Sequence, residues 1–475
     1  IAVVDGPNGL GVITRTDILQ ILIGEKPEES LYDTDLGTPG IRTKRMGPLL
    51  RERLPPRYVT VLKQFGQVGD SLGVNVYLVG GVVRDVLLNQ KNLDVDVVVE
   101  EDGIRLAQEF ARLHRARVRS HSKFGTAKVI FDDGLKIDVA TARMEYYEFP
   151  GALPVVETSS LKRDLSRRDF TINTLAIKLN KKEYGTLIDH FGALSDMKMK
   201  NLRVLHNLSF VEDPTRIFRA IRFEQRFGFK IGKLTLALMR NAVKINVLSD
   251  VSSHRLLLEL MLLLKEKNPI AAIRRMDEFK LLPFIHPAIS FDEDLNHLLE
   301  EIRKVISWYS LLFLEEGVDA WKVYFHGLTS GLNQSELEQT AKRMGFRDGS
   351  NAHMVEQRGA VDSLFERLFR FNRDDYSLYT LLRPYDTETL LYLMAKSSSE
   401  KVRKLISFYL TKLKPTRVLL TGKDLIAMGL KPGPDFKGIF ESLLEAHMNS
   451  AVSSKDEEIE LVRRRFISPA PARQA

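Results

Sequence analysis

The sequence has no cysteine among its 475 residues, which excludes disulfide bonds, cysteine nucleophiles and thiolate zinc sites. No apolar run reaches the roughly 18–20 residues that span a bilayer. The longest such run, Leu256–Leu264, is interrupted by Glu259 and predicts a buried helix. No signal peptide pattern is visible. We therefore expect a cytoplasmic protein with no membrane partner.

The ten histidines are scattered and include no His-Asp dipeptide, which argues against a metal phosphohydrolase domain of the HD type. What the sequence has in excess is positive charge, with a formal net charge of +8 and a pI near 9.3. This balance favours a polyanionic partner, although a generic basic surface would give the same numbers.

The most informative segment is residues 77–100, YLVGGVVRDVLLNQKNLDVDVVVE. The pattern predicts a buried strand that runs into Gly80-Gly81, a short helix, and a second strand with Asp94 and Asp96. Residues two apart on a strand point to the same face. The two carboxylates therefore share one face, and the alternate apolar residues from Leu93 to Val99 face the core. Such a carboxylate pair suits a divalent metal and a nucleoside triphosphate.

The glycine turn strengthens this interpretation. Gly80-Gly81 leaves room for a phosphate at a helix N-terminus, where free backbone N–H groups and the helix dipole favour anions. Arg84 adds a guanidinium that can bind phosphate oxygens as a fork. An isolated Asp-x-Asp or Gly-Gly is common, but the combination within one short segment favours a nucleotide site.

Asp138 lies in the segment LKIDVATAR, whose alternation predicts a half-buried strand with Asp138 on its polar face. Two interpretations stay open. Asp138 is either a third carboxylate near the metal or a structural acceptor for a neighbouring arginine.

A second segment, residues 161–175 (LKRDLSRRDFTINTL), places clustered arginines and aspartates before an apolar turn. A purely solvated charged face fits poorly, because Phe170 and Ile172 bury the same turn. Arg168 could reach a phosphate, while Asp169 and Asn173 could hold a ribose hydroxyl or brace the arginines.

A third segment, residues 212–229 (EDPTRIFRAIRFEQRFGF), predicts a largely buried helix with arginines close to one face, at positions 216, 219, 222 and 226. Buried arginines are costly unless they are paired. A triphosphate or acidic side chains would supply the partner.

Farther along, residues 422–434 (GKDLIAMGLKPGP) offer Lys423, Lys431 and Gly433 to a nucleic-acid backbone. An ordinary packing element is the alternative interpretation of this segment.

Together these segments resemble the class II, bacterial-type tRNA nucleotidyltransferases, the CCA-adding and A-adding enzymes of the polymerase β-like superfamily. The resemblance rests on GGVVRD and DVD within residues 80–96, RRDFTIN at 167–173 and EDPTR at 212–216. TGKDLIAMGLKPGP at 421–434 is similar to the family's C-terminal tail. The likeness covers about residues 50–470 and implies an α+β fold: a polymerase β-like nucleotidyltransferase head followed by an all-helical neck, body and tail.

The first residues, IAVVDGPNGLGVITRTD, resemble the last segment of a CBS domain. A complete CBS domain needs more chain, so we expect a longer protein, and because such domains often pair, a homodimer is one expectation for it. The expected division is a CBS remnant (1–25), a linker and entry helix (26–55), the head or palm (56–204), a neck with the nucleotide-selecting helix (205–285), a body (286–412) and a tRNA-binding tail (413–475).

The chemistry implied by the resemblance is attack of an RNA 3′-hydroxyl on the α-phosphorus of ATP, with release of pyrophosphate. Asp94 and Asp96 would hold two Mg²⁺ ions, and Asp138 is the candidate third catalytic carboxylate. The expected nucleotide-binding residues come from all three segments: Gly80, Gly81, Arg84, Arg168, Asp169, Asn173, Asp213, Arg216, Arg219 and Arg222.

Base choice would fall to Asp213 and Arg216. A carboxylate can accept a hydrogen bond from the exocyclic amine of adenine or cytosine, and an arginine can donate to the adjacent ring nitrogen. Uracil and guanine reverse both partners, and a buried unsatisfied polar pair costs about 1–3 kcal/mol. The same logic does not separate ATP from CTP. In the family that choice depends on a flexible loop, here residues Met144–Ser160, which is not obviously shortened.

The leading functional hypothesis is addition of the 3′-terminal AMP of CCA to tRNA, with the acceptor arm and 3′ end held by the helical domains. The CBS remnant favours this A-adding branch by analogy. The alternatives are a full CCA-adding enzyme that uses CTP and ATP, and a bacterial poly(A) polymerase. A nucleotide-sensing RNA-binding module with an inactive head is a fourth hypothesis, but both Asp94 and Asp96 are present.

Overall fold

The structure is a computed structural model that describes residues 2–5, 8–12, 42–146, 155–346 and 350–467. The chain forms two compact units, residues 1–284 and 285–475. The described strands all lie in the first unit, and the described part of the second unit is helical. This arrangement is the α+β fold that the sequence predicts.

The strands are short and are numbered along the chain. They are β1 (Ala2–Asp5), β2 (Asn8–Val12), β3 (Arg42–Arg45), β4 (Val76–Val79), β5 (Asp96–Val99), β6 (Arg117–His121), β7 (Thr126–Ile130), β8 (Lys136–Thr141), β9 (Arg143–Tyr146), β10 (Val155–Thr158), β11 (Ala176–Lys178), β12 (Thr186–Asp189), β13 (Asn201–Leu202) and β14 (Lys230–Ile231).

Eight of the strands form one sheet in the order β3-β12-β11-β4-β5-β8-β7-β6. Neighbouring strands are antiparallel except β5 and β8, which run parallel and place Asp96 directly opposite Asp138. The pairs β1–β2 and β9–β10 are antiparallel hairpins, and β13 pairs with β14 in parallel.

The helices of the first unit are α1 (Gly47–Arg53), α2 (Pro56–Leu72), α3 (Gly81–Leu87), α4 (Gly103–His114), α5 (Leu161–Ser166), α6 (Ala193–Lys198), α7 (Ser209–Glu212), α8 (Arg216–Phe227), α9 (Lys233–Lys244), α10 (Ser253–Leu264) and α11 (Pro269–Glu278).

The helices of the second unit are α12 (Glu293–Ser310), α13 (Ala320–Leu328), α14 (Gln334–Arg343), α15 (Ser350–Gly359), α16 (Val361–Phe369), α17 (Asp375–Leu382), α18 (Thr387–Lys396), α19 (Glu400–Phe408), α20 (Gly422–Ala427), α21 (Asp435–Met448) and α22 (Lys455–Val462).

The two faces of the large sheet have different environments. On one face, alternate strand residues such as Val97 and Ile137 are buried against α2 and α4, where the rings of Phe65 and Phe110 stack 3.8 Å apart. Burial of this apolar surface is the main favourable contribution to the stability of the head. On the other face, α5 packs with buried residues of β4, β5 and β11 and with partly buried residues of β8 and β12. The remaining part of that face is where the carboxylates lie.

Two sequence predictions about apolar residues need correction. Leu93 is 50% exposed, because β5 begins only at Asp96 and the Asn92 side chain accepts a hydrogen bond from the Asp94 backbone N–H, which turns the chain before the strand. The run Leu256–Leu264 forms most of α10, but Leu258 and Leu262 are exposed, so only one side of this helix is buried.

For residues 26–55 the sequence predicts a linker and an entry helix, and the described part contains a helix, α1, but also a strand of the main sheet. Residues Arg42–Arg45 form β3, an edge strand of the main sheet that pairs with β12, and Met46 and Leu50 pack in the head core. The sheet therefore starts before residue 56.

Some predicted segments fall outside the described residues. Most of the CBS remnant lies there, and the hairpin β1–β2 alone leaves that assignment a prediction. Residues 147–154 of the predicted loop Met144–Ser160 also lie there, between β9 and β10. Within the described part of the chain, no helix combines the length and apolar character needed to cross a membrane.

A buried carboxylate fixes the segment that carries Lys423. Glu458 on α22 accepts hydrogen bonds from the backbone N–H groups of Leu419 and Leu420, at 2.8 and 2.6 Å, and bonds to His447 Nε2 at 2.5 Å. Thr421 and Asp424 then form a reciprocal capping box at the start of α20.

Replacing Glu458 should lower the stability of the second unit. We expect Glu458→Ala to lower its free energy of unfolding by about 3 kcal/mol, because two backbone N–H groups lose their acceptor in a buried site. The exposed neighbour Glu460 provides the control, since Glu460→Ala should change stability by less than about 0.5 kcal/mol. Urea denaturation of the full chain measures both; equal effects of the two substitutions would contradict the anchoring role.

Candidate active site

Within the first unit, the partly uncovered sheet face, the segment after α5, and helices α8 and α10 line a cavity of about 860 Å³. Twelve of the thirteen predicted catalytic and nucleotide-binding residues line it, and the remaining one, Gly80, lies directly beside it. The twelve are Gly81, Arg84, Asp94, Asp96, Asp138, Arg168, Asp169, Asn173, Asp213, Arg216, Arg219 and Arg222.

The three carboxylates lie on and beside two neighbouring strands. Asp96 begins β5, Asp138 is its direct partner on β8, and the exposed Asp94 precedes the strand. Burial raises the pKa of Asp96 to about 6, and the negative charges of Asp94 and Asp138 contribute to this rise. Asp138 forms an ion pair with Lys128, whose Nζ lies 3.0 Å from Oδ2. The partner of Asp138 is thus a lysine, where the sequence analysis considered an arginine.

These carboxylates suit Mg²⁺ as part of a coordination shell. Among the described residues, no group of three or more His, Asp or Glu side chains is arranged to hold a metal by itself. Mg²⁺ is usually bound by one or two carboxylates, water and substrate phosphates, and seldom by an all-protein cage. Asp94 and Asp96 fit that pattern, in which the phosphates of a nucleotide complete the shell.

Gly80 makes room for an arginine. Its backbone has φ 77° and ψ −134°, and a Cβ at this position would lie 2.4 Å from Arg168 Nη1. The sequence predicts that a phosphate can occupy the space beside the glycine turn. In the structure the Arg168 guanidinium occupies part of that space, so a phosphate near the turn would meet this cation.

Arg84 braces the site from within. Its Nε and Nη2 donate to the two oxygens of Asp85, at 2.7 and 2.9 Å, and its Nη1 donates to Asn173 Oδ1 at 2.5 Å. The guanidinium also lies 4.6 Å from the centre of the Phe227 ring. Each nitrogen already has a protein partner, so these contacts favour a bracing role over the predicted phosphate fork.

Asp164 holds the two arginines that precede the apolar turn. This buried carboxylate accepts hydrogen bonds from Arg167 Nε and Nη2, at 3.1 and 2.6 Å, and lies 3.4 Å from Arg168 Nη2. Burial alone would raise the pKa of Asp164, but the charges of Arg167 and Arg168 outweigh burial and hold the pKa below its usual value.

Asp169 joins the head to α8. Its Oδ2 accepts hydrogen bonds from Arg219 Nε and Nη2, at 2.8 and 2.5 Å. Its Oδ1 accepts from the Phe170 backbone N–H and from Asn173 Nδ2, at 2.8 and 2.7 Å. Burial would raise the pKa of Asp169, but Arg219 and Asn173 hold it well below its usual range. Both oxygens are fully used, which favours bracing over a ribose contact.

The other cations of α8 have acidic partners on and beside α10. Glu259 lies 3.4 Å from Arg219 Nη1 and 3.7 Å from Arg222 Nη2. Glu266 lies 3.7 Å from nitrogens of both Arg222 and Arg226. The sequence analysis predicted a triphosphate or acidic partners for this helix but did not identify these two residues. The one sequence feature that points to such a partner is Glu259, a single carboxylate inside an apolar run, which suggests a buried partner for a cation.

Asp213 and Arg216, the predicted base-selecting pair, both line the cavity but are held separately. Asp213 Oδ1 accepts from Thr215 Oγ1 at 2.6 Å and from Arg255 Nη2 at 2.8 Å. Arg216 donates to Ser209 Oγ at 2.7 Å and to the Arg167 carbonyl at 2.8 Å. Arg255, on α10, was not identified from the sequence.

The predicted RNA-binding residues lie in the second unit. Lys423 is on α20, and Lys431 and Gly433 are on the turn that follows it; all three are exposed. Their role stays a prediction.

Two family models match the chain. Residues 76–203 match the poly A polymerase head domain, and residues 228–292 match a model described as the probable RNA and SrmB-binding site of polymerase A. The first matched segment contains the carboxylates and the second contains α10. Most of the residues that line the cavity therefore lie within one of the two matched segments.

The chain is also similar to curated and solved proteins. It is 45% identical to an A-adding tRNA nucleotidyltransferase of Geobacter sulfurreducens over 98% of this chain, although it spans only about half (54%) of that relative. It is 30% identical to the A-adding tRNA nucleotidyltransferase of Halalkalibacterium halodurans, over 89% of this chain and 96% of the relative. A solved complex of a CCA-adding enzyme with ATP is 35% identical, with a TM-score of 0.66 and coverage of 89% and 99% of the two chains.

The Gly80 environment predicts a difference between two adjacent glycines. Gly80→Ala should lower the free energy of unfolding by about 1–3 kcal/mol, because its backbone conformation is nearly exclusive to glycine, and should displace Arg168 and weaken ATP binding several-fold. Gly81→Ala, whose Cβ would have its nearest neighbour at 3.5 Å, should change the free energy of unfolding by less than about 0.5 kcal/mol. Thermal unfolding and ATP titration test both variants. A Gly80→Ala protein with unchanged ATP affinity would contradict the role of Gly80 in placing Arg168 beside the nucleotide.

Proposed function

Since the chain belongs to the tRNA nucleotidyltransferase family of A-adding and CCA-adding enzymes, we propose that it transfers AMP from ATP to the 3′ end of tRNA. The observation that carries the proposal is that Asp94 and Asp96 line the same cavity as Arg168 and the arginines of α8. The names of the similar proteins favour the A-adding activity over the alternatives.

The proposed reaction is a displacement at phosphorus. The RNA 3′-oxygen forms a bond to the α-phosphorus, the bond from that phosphorus to the bridging oxygen breaks, and pyrophosphate leaves while the hydroxyl loses its proton. Mg²⁺ bound at Asp94 and Asp96 would supply charge neutralisation at the attacking and leaving oxygens.

The side chains contribute position and charge. Arg168, Arg219 and Arg222 place cations where the phosphates would lie, and preorganised charge of this kind needs little rearrangement during the reaction. A covalent nucleophile is not required, because phosphoryl transfer depends mainly on positioning and electrostatic stabilisation. Asp213 and Arg216 present an acceptor and a donor group that suit adenine or cytosine.

Full CCA addition is the second candidate, because the same hydrogen-bonding logic accepts cytosine and the similar ATP-bound enzyme is named CCA-adding. A dimer through CBS domains in a longer protein, the use of Mg²⁺ and a cytoplasmic location also stay predictions.

The carboxylate pair gives the first test. Asp94→Ala with Asp96→Ala should reduce AMP incorporation into tRNA by at least about 1,000-fold, because charge stabilisation at the reacting oxygens is lost. The control removes two exposed carboxylates from the same domain, Glu101→Ala with Asp132→Ala, and should retain activity within about twofold. tRNA binding should survive in both proteins, and incorporation that persists in the first variant would refute the assignment.

Nucleotide choice gives the second test. Three transcripts of one tRNA, ending at the discriminator base, after one C and after CC, are incubated with Mg²⁺ and labelled ATP or CTP. We expect label only from ATP on the transcript that ends in CC. CTP uptake on the two shorter transcripts would instead establish full CCA addition.

A further inference from the structure

One row of side chains crosses the sheet from its free edge to the carboxylates. Arg119 on β6 is directly opposite Lys128 on β7, Lys128 is opposite Asp138 on β8, and Asp138 is opposite Asp96 on β5. Residues directly opposite each other on neighbouring strands have their side chains on the same face. The row therefore lies on the face that bears the candidate catalytic residues.

A second row runs beside the first on the same face. Arg117 on β6 is opposite Ile130 on β7, which is opposite Lys136 on β8. Each of these residues is two positions from its counterpart in the first row and so shares its orientation. We call Arg117, Arg119, Lys128 and Lys136 the basic strip.

The strip is accessible within the described structure. Arg117, Arg119 and Lys136 are exposed and Lys128 is partly exposed, whereas Ala127, Val129 and Ile137, on the opposite face, are buried. Helix α5 packs on this face with residues of β4, β5 and β11 and with Ala140 of β8, four positions from Lys136. The part of the face that carries the strip is thus open to a ligand.

The charges of the strip are not balanced within the described part of the chain. Lys128 pairs with Asp138, but Arg117, Arg119 and Lys136 make no ion pair there. Like charges directly opposite each other, such as Arg119 and Lys128, destabilise a sheet. Charges on an edge strand can protect it from pairing with other chains, but this explanation does not apply to Lys128 and Lys136, which lie on interior strands.

From this arrangement we propose that the basic strip binds the phosphates of the single-stranded RNA 3′ terminus and leads its hydroxyl to Asp96 and Asp138. The proposal rests on the proposed function and specifies where its second substrate enters. The strip spans two strand spacings, about 10 Å, and Asp96 on β5 lies one further strand beyond it, about 14 Å from β6. The triphosphate has its own cations in the cavity, Arg168, Arg219 and Arg222, so the strip remains for the other polyanion of the reaction.

The test removes the two charges farthest from the carboxylates. Arg117→Gln with Arg119→Gln is compared with Lys44→Gln with Arg45→Gln, which removes two exposed cations from β3, the opposite edge strand of the same sheet. Affinity for a tRNA ending in CC is measured by fluorescence anisotropy at several salt concentrations without nucleotide. A second RNA has the same acceptor stem but lacks the single-stranded 3′ end.

We expect the β6 variant to bind the CC-ended tRNA about tenfold more weakly and to lose about 1.4 from the slope of log affinity against log salt, since each single-strand phosphate contact contributes about 0.7. Its affinity for the RNA without the 3′ end and its KM for ATP should stay unchanged. The β3 variant should behave as the unmodified protein.

Two results would overturn the proposal: an unchanged affinity of the β6 variant for the CC-ended tRNA, or an equal loss with both RNAs. Because binding is measured without nucleotide, the outcome is independent of transfer. If the unmodified protein adds no AMP but the β6 variant loses binding that depends on the 3′ end, only the proposed function fails. If AMP is added and binding is unaffected, only the basic strip fails.

Discussion

The ion pair between the buried carboxylate of Asp169 and the partly exposed guanidinium of Arg219 is the interaction on which the site depends. Two charges removed from water are favourable only when the geometry is good and the remaining lone pairs have partners. Asp169 meets this condition, since its two oxygens accept four hydrogen bonds from Phe170, Asn173 and both Arg219 nitrogens. Through Asn173 the network continues to Arg84, and through Arg219 it continues to Glu259 on α10. The turn after α5 and helices α3, α8 and α10 are therefore held by one hydrogen-bonded system.

This system supplies protein partners for most of the arginines that line the cavity. Arg216 and Arg219 donate hydrogen bonds to acceptors in the protein, whereas Arg222 and Arg226 form longer ion pairs. Together Asp169, Glu259 and Glu266 place three negative charges beside Arg219, Arg222 and Arg226. The planar guanidinium has five donors, so an arginine can keep an internal partner and still direct an N–H group toward a phosphate. A lysine at these positions would offer a point charge without the same fixed geometry.

The sequence predicted the local elements of this site more completely than its contacts. The strand, Gly80 turn and helix, the polar-face position of Asp138 on its own strand, and the arginine face of α8 all follow from spacing within short segments. The contacts of Arg219 with Glu259, forty residues away, and of Gly80 with Arg168 depend on how separate elements pack. The spacing of residues within one segment does not predict contacts between segments that are far apart in the sequence. The two-residue period predicts a core position for Leu93 only if it extends past the Asn92 turn, where the structure breaks it. The residues of β3 are polar and lie on an edge strand, so they give no hydrophobic alternation that would predict it.

We expect Asp169 to position Arg219 for the nucleotide and not to bind the ribose itself. Titration of Asp169→Asn with ATP and with 2′,3′-dideoxy-ATP tests this most directly, after circular dichroism has shown that the variant is folded. The account predicts about tenfold weaker binding of both nucleotides, even though a negative charge near the triphosphate has been removed. Equal or tighter binding of ATP would contradict it, and so would a loss confined to the nucleotide that has the ribose hydroxyls.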